Sequence, residues 1–230
     1  MALHHGAAFD TGIVYNARPF KYRILQMLEV SNLACSRGDH RLFSGLSFTL
    51  RPGEIMQVQG ENGSGKTTLL RTLCGFVSAD EGGIAWNGAP VASLGEGFHA
   101  EMLYLGHLNA IKDDLSGLEN LKISAALSGQ VLTDATVKTV LRRLGLKGRE
   151  LLPCKVLSQG QRRRVALARL LVSEARLWVL DEPLAALDVR AVGLIQDLIA
   201  EHLSRGGMAI FTTHQPLQVD GMEVRTLALS

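Results

Sequence analysis

Two groups of residues in this chain have the types and the spacing needed for chemistry on phosphate groups. The first, Gly60–Thr67, fits the pattern G-x-x-x-x-G-K-[ST]. Glycines let successive backbone N–H groups converge on phosphate oxygens, and the helix that follows adds the positive end of its dipole. The pattern predicts that Lys66 contacts the β- and γ-phosphates of a nucleotide and that the Thr67 hydroxyl binds Mg²⁺. The predicted binding residues of this loop are Gly60, Glu61, Asn62, Gly63, Ser64, Gly65, Lys66 and Thr67.

The second group is an acidic pair, Asp181 and Glu182, that follows the four apolar residues Leu177–Leu180. Such an apolar run is typical of a buried parallel strand, and ligands in α/β proteins bind at the carboxyl ends of these strands. We therefore expect both carboxylates beside the phosphate loop. Asp181 is predicted to hold Mg²⁺, largely through water, and Glu182 to act as the general base.

A third segment, Leu157–Gln161, reads Leu-Ser-Gln-Gly-Gln and precedes a predicted helix. Ser158 and Gln161 occupy the two reciprocal positions of a capping box. A serine hydroxyl, the backbone N–H of Gly160 and a helix N-terminus can together receive a γ-phosphate. The residues alone leave open whose phosphate this is.

The elements that must hold these groups follow from hydrophobic periodicity and turn residues. Strands are predicted near 27–30, 46–50, 54–58, 82–91, 102–106, 177–180 and 208–212, and helices over 66–75, 118–127 and 134–144, after residue 158 and from residue 188. This order predicts an α/β core with a β-rich front end and a small helical insert.

Composition restricts the class of protein. Hydrophobic residues make up 47% of the chain and charged residues 20%, and a net charge of +2 gives no basis for nucleic-acid binding. The three cysteines lack metal-ligand spacing and are expected to be reduced. No stretch approaches the roughly 18 apolar residues of a membrane span, so we expect a partner to supply any spans. Residues 1–26 lack regular patterning and are interpreted as a disordered extension or a start codon placed upstream of Met27.

Along the chain the phosphate loop comes first, then Leu157–Gln161, then the acidic pair, and in this order the three segments resemble those of the ATP-binding subunits of ABC transporters, whose signature is LSGGQ-like. The resemblance covers residues 27–230, which would form the ATP-binding domain. It implies a P-loop NTPase cassette with a RecA-like core, an antiparallel β subdomain and a small helical subdomain, and ATP and Mg²⁺ as cofactors. It further implies that Ser158, Gly160 and Gln161 cap an ATP bound to the opposite subunit, so that two ATP molecules join a homodimer.

Three smaller elements also resemble parts of these cassettes. His214, after the 208–212 strand, corresponds to a switch histidine that contacts the γ-phosphate and orients the water, which implies a catalytic role. Ala186-Leu187-Asp188 resembles a loop that touches the opposite subunit, although Asp188 also fits a plain helix N-cap and both can hold. The Arg162–Arg164 run is interpreted as a partly solvated face of the signature helix.

Two positions depart from the cassette pattern. Counting back from Glu119 places His107 where cassettes have a glutamine that senses Mg²⁺ and the membrane partner. We predict that His107 substitutes for it; a structural loop histidine is the alternative. Arg37 stands where an aromatic residue normally stacks on adenine, and it is either a stacking guanidinium or a solvated turn residue.

Within ABC transporters, the chain is most similar to the haem-exporter ATPases of cytochrome c maturation (the CcmA family). Gly106-His107, Trp178 and Gln215 are the more specific matching residues. The resemblance implies ATP hydrolysis that drives release of a haem-loaded chaperone, at the cytoplasmic face of the bacterial inner membrane, with integral membrane permease subunits as partners and no direct haem binding. Another ABC importer or exporter ATPase and a soluble non-transport cassette stay open. A P-loop kinase is disfavoured because it has no use for Leu157–Gln161.

Overall fold

The computed structural model describes residues 27–215, 217–219 and 221–229, and within them nine strands form two sheets surrounded by seven α-helices. The strands are β1 Leu28–Arg37, β2 His40–Leu50, β3 Ile55–Gln59, β4 Glu81–Trp86, β5 Ala89–Pro90, β6 Met102–Leu105, β7 Leu177–Asp181, β8 Met208–Thr212 and β9 Val224–Ala228. The helices are α1 Lys66–Leu73, α2 Val91–Leu94, α3 Glu96–Glu101, α4 Gly117–Leu127, α5 Asp134–Arg143, α6 Gln159–Val172 and α7 Val189–Ser204. The prediction for residues 1–26 lies outside the described residues, and the domain boundary at residue 27 stays a prediction.

A parallel sheet of order β6-β7-β8-β3-β9 forms the centre of the fold. In β7, Trp178 and Leu180 pack into one hydrophobic core with the helices, while Leu177 and Val179 pack into a second core on the opposite face. Burial on both faces explains the continuous apolar run in the sequence. Because β8 lies between β7 and β3, the loops after these three strands meet at one edge of the sheet.

The β-rich front end is an antiparallel sheet of order β2-β1-β4-β5, which shares the second core with α1 and the parallel sheet. The strand predicted over 82–91 is confirmed for residues 82–86, within β4, and is wrong as a single strand beyond them. A hairpin interrupts it: Asn87 and Gly88 have φ values of 56° and 80°, the left-handed conformation of a tight two-residue turn. The rest of that stretch forms β5 and the start of α2.

The helical insert is formed by α4, α5 and the beginning of α6. These helices approach closely at Gly117, where an added Cβ would lie 3.3 Å from Val165 and 3.4 Å from Leu141. The predicted helices over 118–127 and 134–144 are confirmed to within one residue at each end. Of the helices in the described part of the chain, none combines the length and the apolar character needed to cross a bilayer.

Candidate active site

The phosphate loop joins the end of β3 to the start of α1. An added Cβ at Gly60 would lie 2.5 Å from Ser64 Oγ and 2.9 Å from the carbonyl oxygen of Leu229. Gly65 has a φ of 95° and an added Cβ there would lie 2.9 Å from the Leu42 side chain. Only glycine therefore fits at these two positions of the loop.

The loop also holds its own lysine and a buried hydroxyl. Lys66 Nζ donates hydrogen bonds to the carbonyl oxygens of Gly60 and Glu61 at 2.7 and 2.8 Å, which folds the ammonium group across the loop. Ser64 Oγ is buried and has no hydrogen-bond partner among the described residues. A ligand that offers oxygen acceptors at this loop would satisfy both groups.

Asp181 is buried, with 2% of its surface exposed, and is held by hydroxyls from two neighbouring elements. Thr67 Oγ1 donates to Asp181 Oδ2 at 2.8 Å, and Thr212 Oγ1 donates to Asp181 Oδ1 at 2.7 Å. The first of these bonds joins residues 114 positions apart in sequence, so the fold brings together the two residues predicted to bind Mg²⁺.

Glu182 lies at the same edge of the sheet, beside His214. Its backbone φ is 51°, a left-handed conformation unusual for a residue with a side chain, and its N–H donates to Thr212 Oγ1 at 3.0 Å. The His214 N–H donates to Glu182 Oε2 at 3.3 Å, and His214 Nε2 lies 3.6 Å from Glu182 Oε1. The Glu182 side chain is 16% exposed and the His214 side chain 65% exposed, so solvent reaches both groups.

These groups line a common cavity of about 440 Å³. The lining residues are Arg37, Leu42, Asn62, Gly63, Gly65, Lys66, Thr67, Thr68, His107, Asp181, Glu182, Ala185 and His214. The cavity thus combines phosphate-loop residues, both acidic residues and His214. It also includes Arg37 and His107, the two positions that depart from the cassette pattern. Among the described residues, no group of three or more histidine, cysteine, aspartate and glutamate side chains is arranged to hold a metal ion.

Ser158, Gly160 and Gln161 are not among the residues that line this cavity. The predicted capping box is present: Gln161 N–H donates to Ser158 Oγ at 3.3 Å, and Ser158 N–H donates to Gln161 Oε1 at 3.1 Å. An added Cβ at Gly160 would lie 2.8 Å from the carbonyl oxygen of Ala186. The signature segment therefore packs on the 186–188 loop instead of on the phosphate loop of its own chain.

Comparisons with known proteins agree with this geometry. The family model described as ABC transporter matches residues 43–185. The cytochrome c biogenesis ATP-binding export protein CcmA of Nitrosomonas europaea is 55% identical over 206 residues, which cover 90% of this chain and 97% of the relative. That of Nitrosospira multiformis is 56% identical over 203 residues, covering 88% and 98%. A solved ABC transporter ATP-binding protein from Pyrococcus furiosus is 26% identical and superimposes with a TM-score of 0.76, over 88% of this chain and 97% of the other.

The chain belongs to the ABC transporter family, in the group of cytochrome c biogenesis ATP-binding export proteins. It is an ABC ATPase, an enzyme that binds and hydrolyses ATP. The predicted cassette fold is confirmed, with its parallel core, antiparallel sheet and helical insert. The roles assigned to individual residues stay predictions.

In the 186–188 loop of this ABC ATPase the helix N-cap at Asp188 is confirmed, while contact of the loop with an opposite subunit stays a prediction. Asp188 is the N-cap of α7, because its Oδ1 accepts from the Ala191 N–H at 2.9 Å, and its other oxygen accepts from Arg164. The bond from the Ala191 N–H, and secondarily Arg164, lowers the pKa of the Asp188 carboxyl. The ion pair ties this loop to the signature helix of the same chain.

One member of the arginine run is not on a solvated face. Arg162 and Arg164 are partly exposed, as predicted, but Arg163 is 3% exposed and points towards the end of β7. The prediction is wrong for Arg163 because it lies on the same helix face as the buried residues Ala166 and Leu170. That spacing is a signal that the sequence contained.

Proposed function

We propose that this ABC ATPase hydrolyses ATP in the cavity between the phosphate loop and the end of β7, with Glu182 as general base. We further propose that it drives an export step in cytochrome c biogenesis, the release of a haem-loaded chaperone. The observation that carries the first proposal is the position of Glu182 beside His214, in the same cavity as Lys66. The second rests on the names of the relatives that are 55% and 56% identical over nearly their whole length.

Magnesium fits the residues present at this site. The hydroxyl of Thr67 and the carboxylate of Asp181 already contact one another, and both are the hard oxygen ligands that Mg²⁺ prefers. One carboxylate with few other protein ligands suits an ion that keeps several waters and is bound together with substrate phosphates. We assign Mg²⁺ to these two residues; when bound, it neutralises developing negative charge on the phosphates.

The side chains of the chain have separate tasks in the reaction. Lys66 and the backbone N–H groups of the phosphate loop neutralise the β- and γ-phosphates. The Glu182 carboxylate accepts a proton from the attacking water as the new P–O bond forms and the bond to ADP breaks. His214 orients that water and contacts the γ-phosphate. General-base catalysis of this kind is worth about 10²–10⁴ in rate.

His107 and Arg37, which depart from the cassette pattern, complete the proposed nucleotide site. His107 would take the place of the expected glutamine beside the site assigned to Mg²⁺, and Arg37 would stack on the base. Both side chains line the cavity. A Mg-nucleotide-bound structure in which the His107 side chain points away from the metal would overturn its assignment.

The other half of the site comes from a second copy of the chain. Ser158, Gly160 and Gln161 are proposed to receive the γ-phosphate of the ATP held by the partner copy, which makes a homodimer with two ATP molecules. Integral membrane permease subunits would place this dimer at the cytoplasmic face of the bacterial inner membrane. Capture of a multispanning partner from detergent-solubilised membranes supports this, and a purely soluble pool argues against it.

The Glu182→Gln variant tests the proposed chemistry. It retains the shape of the side chain but cannot accept the proton, so we expect ATP binding with turnover slowed by at least about 10²-fold. The variant should also accumulate as an ATP-bridged dimer in size-exclusion chromatography. Glu174→Gln is the matched control, because Glu174 is exposed and does not line the cavity. Turnover of Glu182→Gln at the wild-type rate would remove Glu182 from the base role.

A further inference from the structure

Arg163 connects two segments of the active site that are far apart in sequence. From one end of its guanidinium group, Nη1 donates to the carbonyl oxygen of Gly106 at 3.1 Å and to Asn109 Oδ1 at 3.3 Å. From the other end, Nη2 donates to the carbonyl oxygens of Glu182 at 2.6 Å and Asp181 at 3.2 Å. A rigid planar group with fixed donor directions thus spans the gap between the loop after β6 and the end of β7.

Burying the charged guanidinium of Arg163 at this position costs desolvation free energy. It is 3% exposed, and its Nε has no hydrogen-bond partner among the described residues. Burial lowers the pKa of its guanidinium, and the carboxylates of Asp181 and Glu182 only partly oppose this. Its direct partners are backbone carbonyls and an amide rather than a carboxylate, so the desolvation cost is poorly recovered.

The backbone of Glu182 depends on these contacts. Its left-handed conformation, with a φ of 51°, is disfavoured for a residue with a Cβ and persists only where neighbouring groups hold it. Thr212 Oγ1 accepts the Glu182 N–H at 3.0 Å, and Arg163 donates to the Glu182 carbonyl at 2.6 Å. Side chains therefore bond to both polar backbone groups of Glu182. The carbonyl oxygen also accepts from the Ala185 N–H at 3.2 Å, so Arg163 supplies the shorter of the two bonds to that oxygen.

The loop at the other end of Arg163 faces both the nucleotide cavity and the surface. His107 lines the cavity, and its carbonyl oxygen lies 3.5 Å from Arg163 Nη1. The next residue, Leu108, is 81% exposed. If a ligand in the cavity or a partner at the surface displaces this loop, the guanidinium group that bonds to Glu182 is therefore displaced as well.

We propose that Arg163 is a positioning residue that makes the location of the Glu182 carboxylate depend on the position of the 106–109 loop. This inference rests on the proposed role of Glu182 as general base. Arg163 itself is not among the residues that line the nucleotide cavity. It acts on the reaction through the Glu182 backbone, and so it affects the chemical step rather than ATP binding.

Kinetics of the full chain with Mg-ATP test this inference. We expect Arg163→Met to lower kcat by about 10- to 100-fold while the KM for ATP stays within about twofold, because small misplacements of a catalytic group cost this much. Arg163→Lys keeps the charge but cannot bridge both segments, so it should lower kcat by a smaller factor. Arg169→Met is the matched control: Arg169 lies on the same helix, burial also lowers its pKa, and its guanidinium donates to Tyr104 instead of Glu182.

Thermal unfolding and a double-mutant cycle separate the outcomes. The Tm of Arg163→Met should fall no further than that of Arg169→Met, and in a Glu182→Gln background Arg163→Met should cause no additional loss of the residual turnover. An unchanged kcat in both Arg163 variants, or an equal loss in Arg169→Met, would overturn the proposal. If Glu182→Gln is slow and Arg163→Met lowers its turnover further, by the same factor as in the wild type, Arg163 does not act through Glu182. That result would overturn the proposal for Arg163 and leave the base assignment of Glu182 in place. Normal turnover of Glu182→Gln would instead overturn the base assignment on which the coupling rests.

Discussion

The nucleotide cavity and the signature segment use their polar groups in opposite ways. In the cavity, side chains from the start of α1 and the ends of β7 and β8 point at one another, as when Thr67 and Thr212 both bond to Asp181. In the signature segment, Ser158 and Gln161 bond to the backbone of their own helix start, and neither lines the cavity. The first region is a converged site within one chain, whereas the second presents a capped helix N-terminus away from it. This separation is what the proposed dimer requires, in which the cavity of one copy meets the signature segment of the other.

The largest expected effect concerns the converged region. Lys66→Met removes the only cation of the phosphate loop, so we expect ATP binding to weaken and turnover to fall by about 10³-fold. Nucleotide titration and steady-state turnover measure the two effects. Lys147→Met, a change at an exposed lysine outside the cavity, should leave both unchanged. Normal ATP binding by Lys66→Met would contradict the assignment of the cavity.

The Ser158→Asp variant tests the role of the signature segment. Aspartate is as good an N-cap as serine, so the helix start is preserved, but its charge would repel a γ-phosphate. We expect turnover to fall by about 10²-fold while ATP affinity of the single chain is unchanged. Thr133→Asp, the same kind of change at the N-cap of α5, is the control. Loss of ATP affinity in Ser158→Asp would mean that the segment belongs to the cavity of its own chain.

The sequence predicted the converged region better than its surroundings, for physical reasons. The strand before Asp181 is buried on both faces and the phosphate loop requires glycine, so local sequence determines both. The hairpin within 82–91 was missed because its Asn-Gly turn lies inside a stretch interpreted as one strand. β9, Val224–Ala228, was missed because an edge strand with partly exposed side chains lacks a continuous apolar run. The left-handed conformation of Glu182 depends on Thr212 and on distant Arg163, which no local pattern encodes.

A third prediction concerns the pH dependence of stability of the core that supports both regions. The ring of His202 stacks on Trp178 of β7 with centroids 3.8 Å apart, and burial lowers the pKa of His202 to about 4. Between pH 6.5 and 4 the unfolded chain binds a proton that the folded chain does not, so stability should fall as the pH falls through this window, by up to about 3 kcal/mol. Denaturant titrations at several pH values measure this. His202→Phe, which keeps a ring on Trp178, should flatten this part of the curve, and an equally steep curve would remove His202 as its cause.

The smallest effect is expected at the rim of the cavity. Arg37→Ala removes the proposed stacking guanidinium, a contact worth roughly 0.5–1 kcal/mol at an exposed site, so KM should rise a few-fold. Stacking on the face of a base discriminates little between bases, and the loss should be the same for ATP and GTP. Steady-state kinetics with both nucleotides provide the measurement. Unchanged KM values would mean that Arg37 is a solvated turn residue.

The central claim, that one copy supplies the cavity and another the signature segment, is tested most directly by mixing two inactive variants. Lys66→Met chains retain Ser158, and Ser158→Asp chains retain Lys66, so a mixed dimer contains one complete site. In an equimolar mixture about half of the dimers are mixed, and we expect roughly a quarter of the wild-type turnover to return. If the turnover of the mixture stays at the level of the separate variants, both regions act within one chain and the account is wrong.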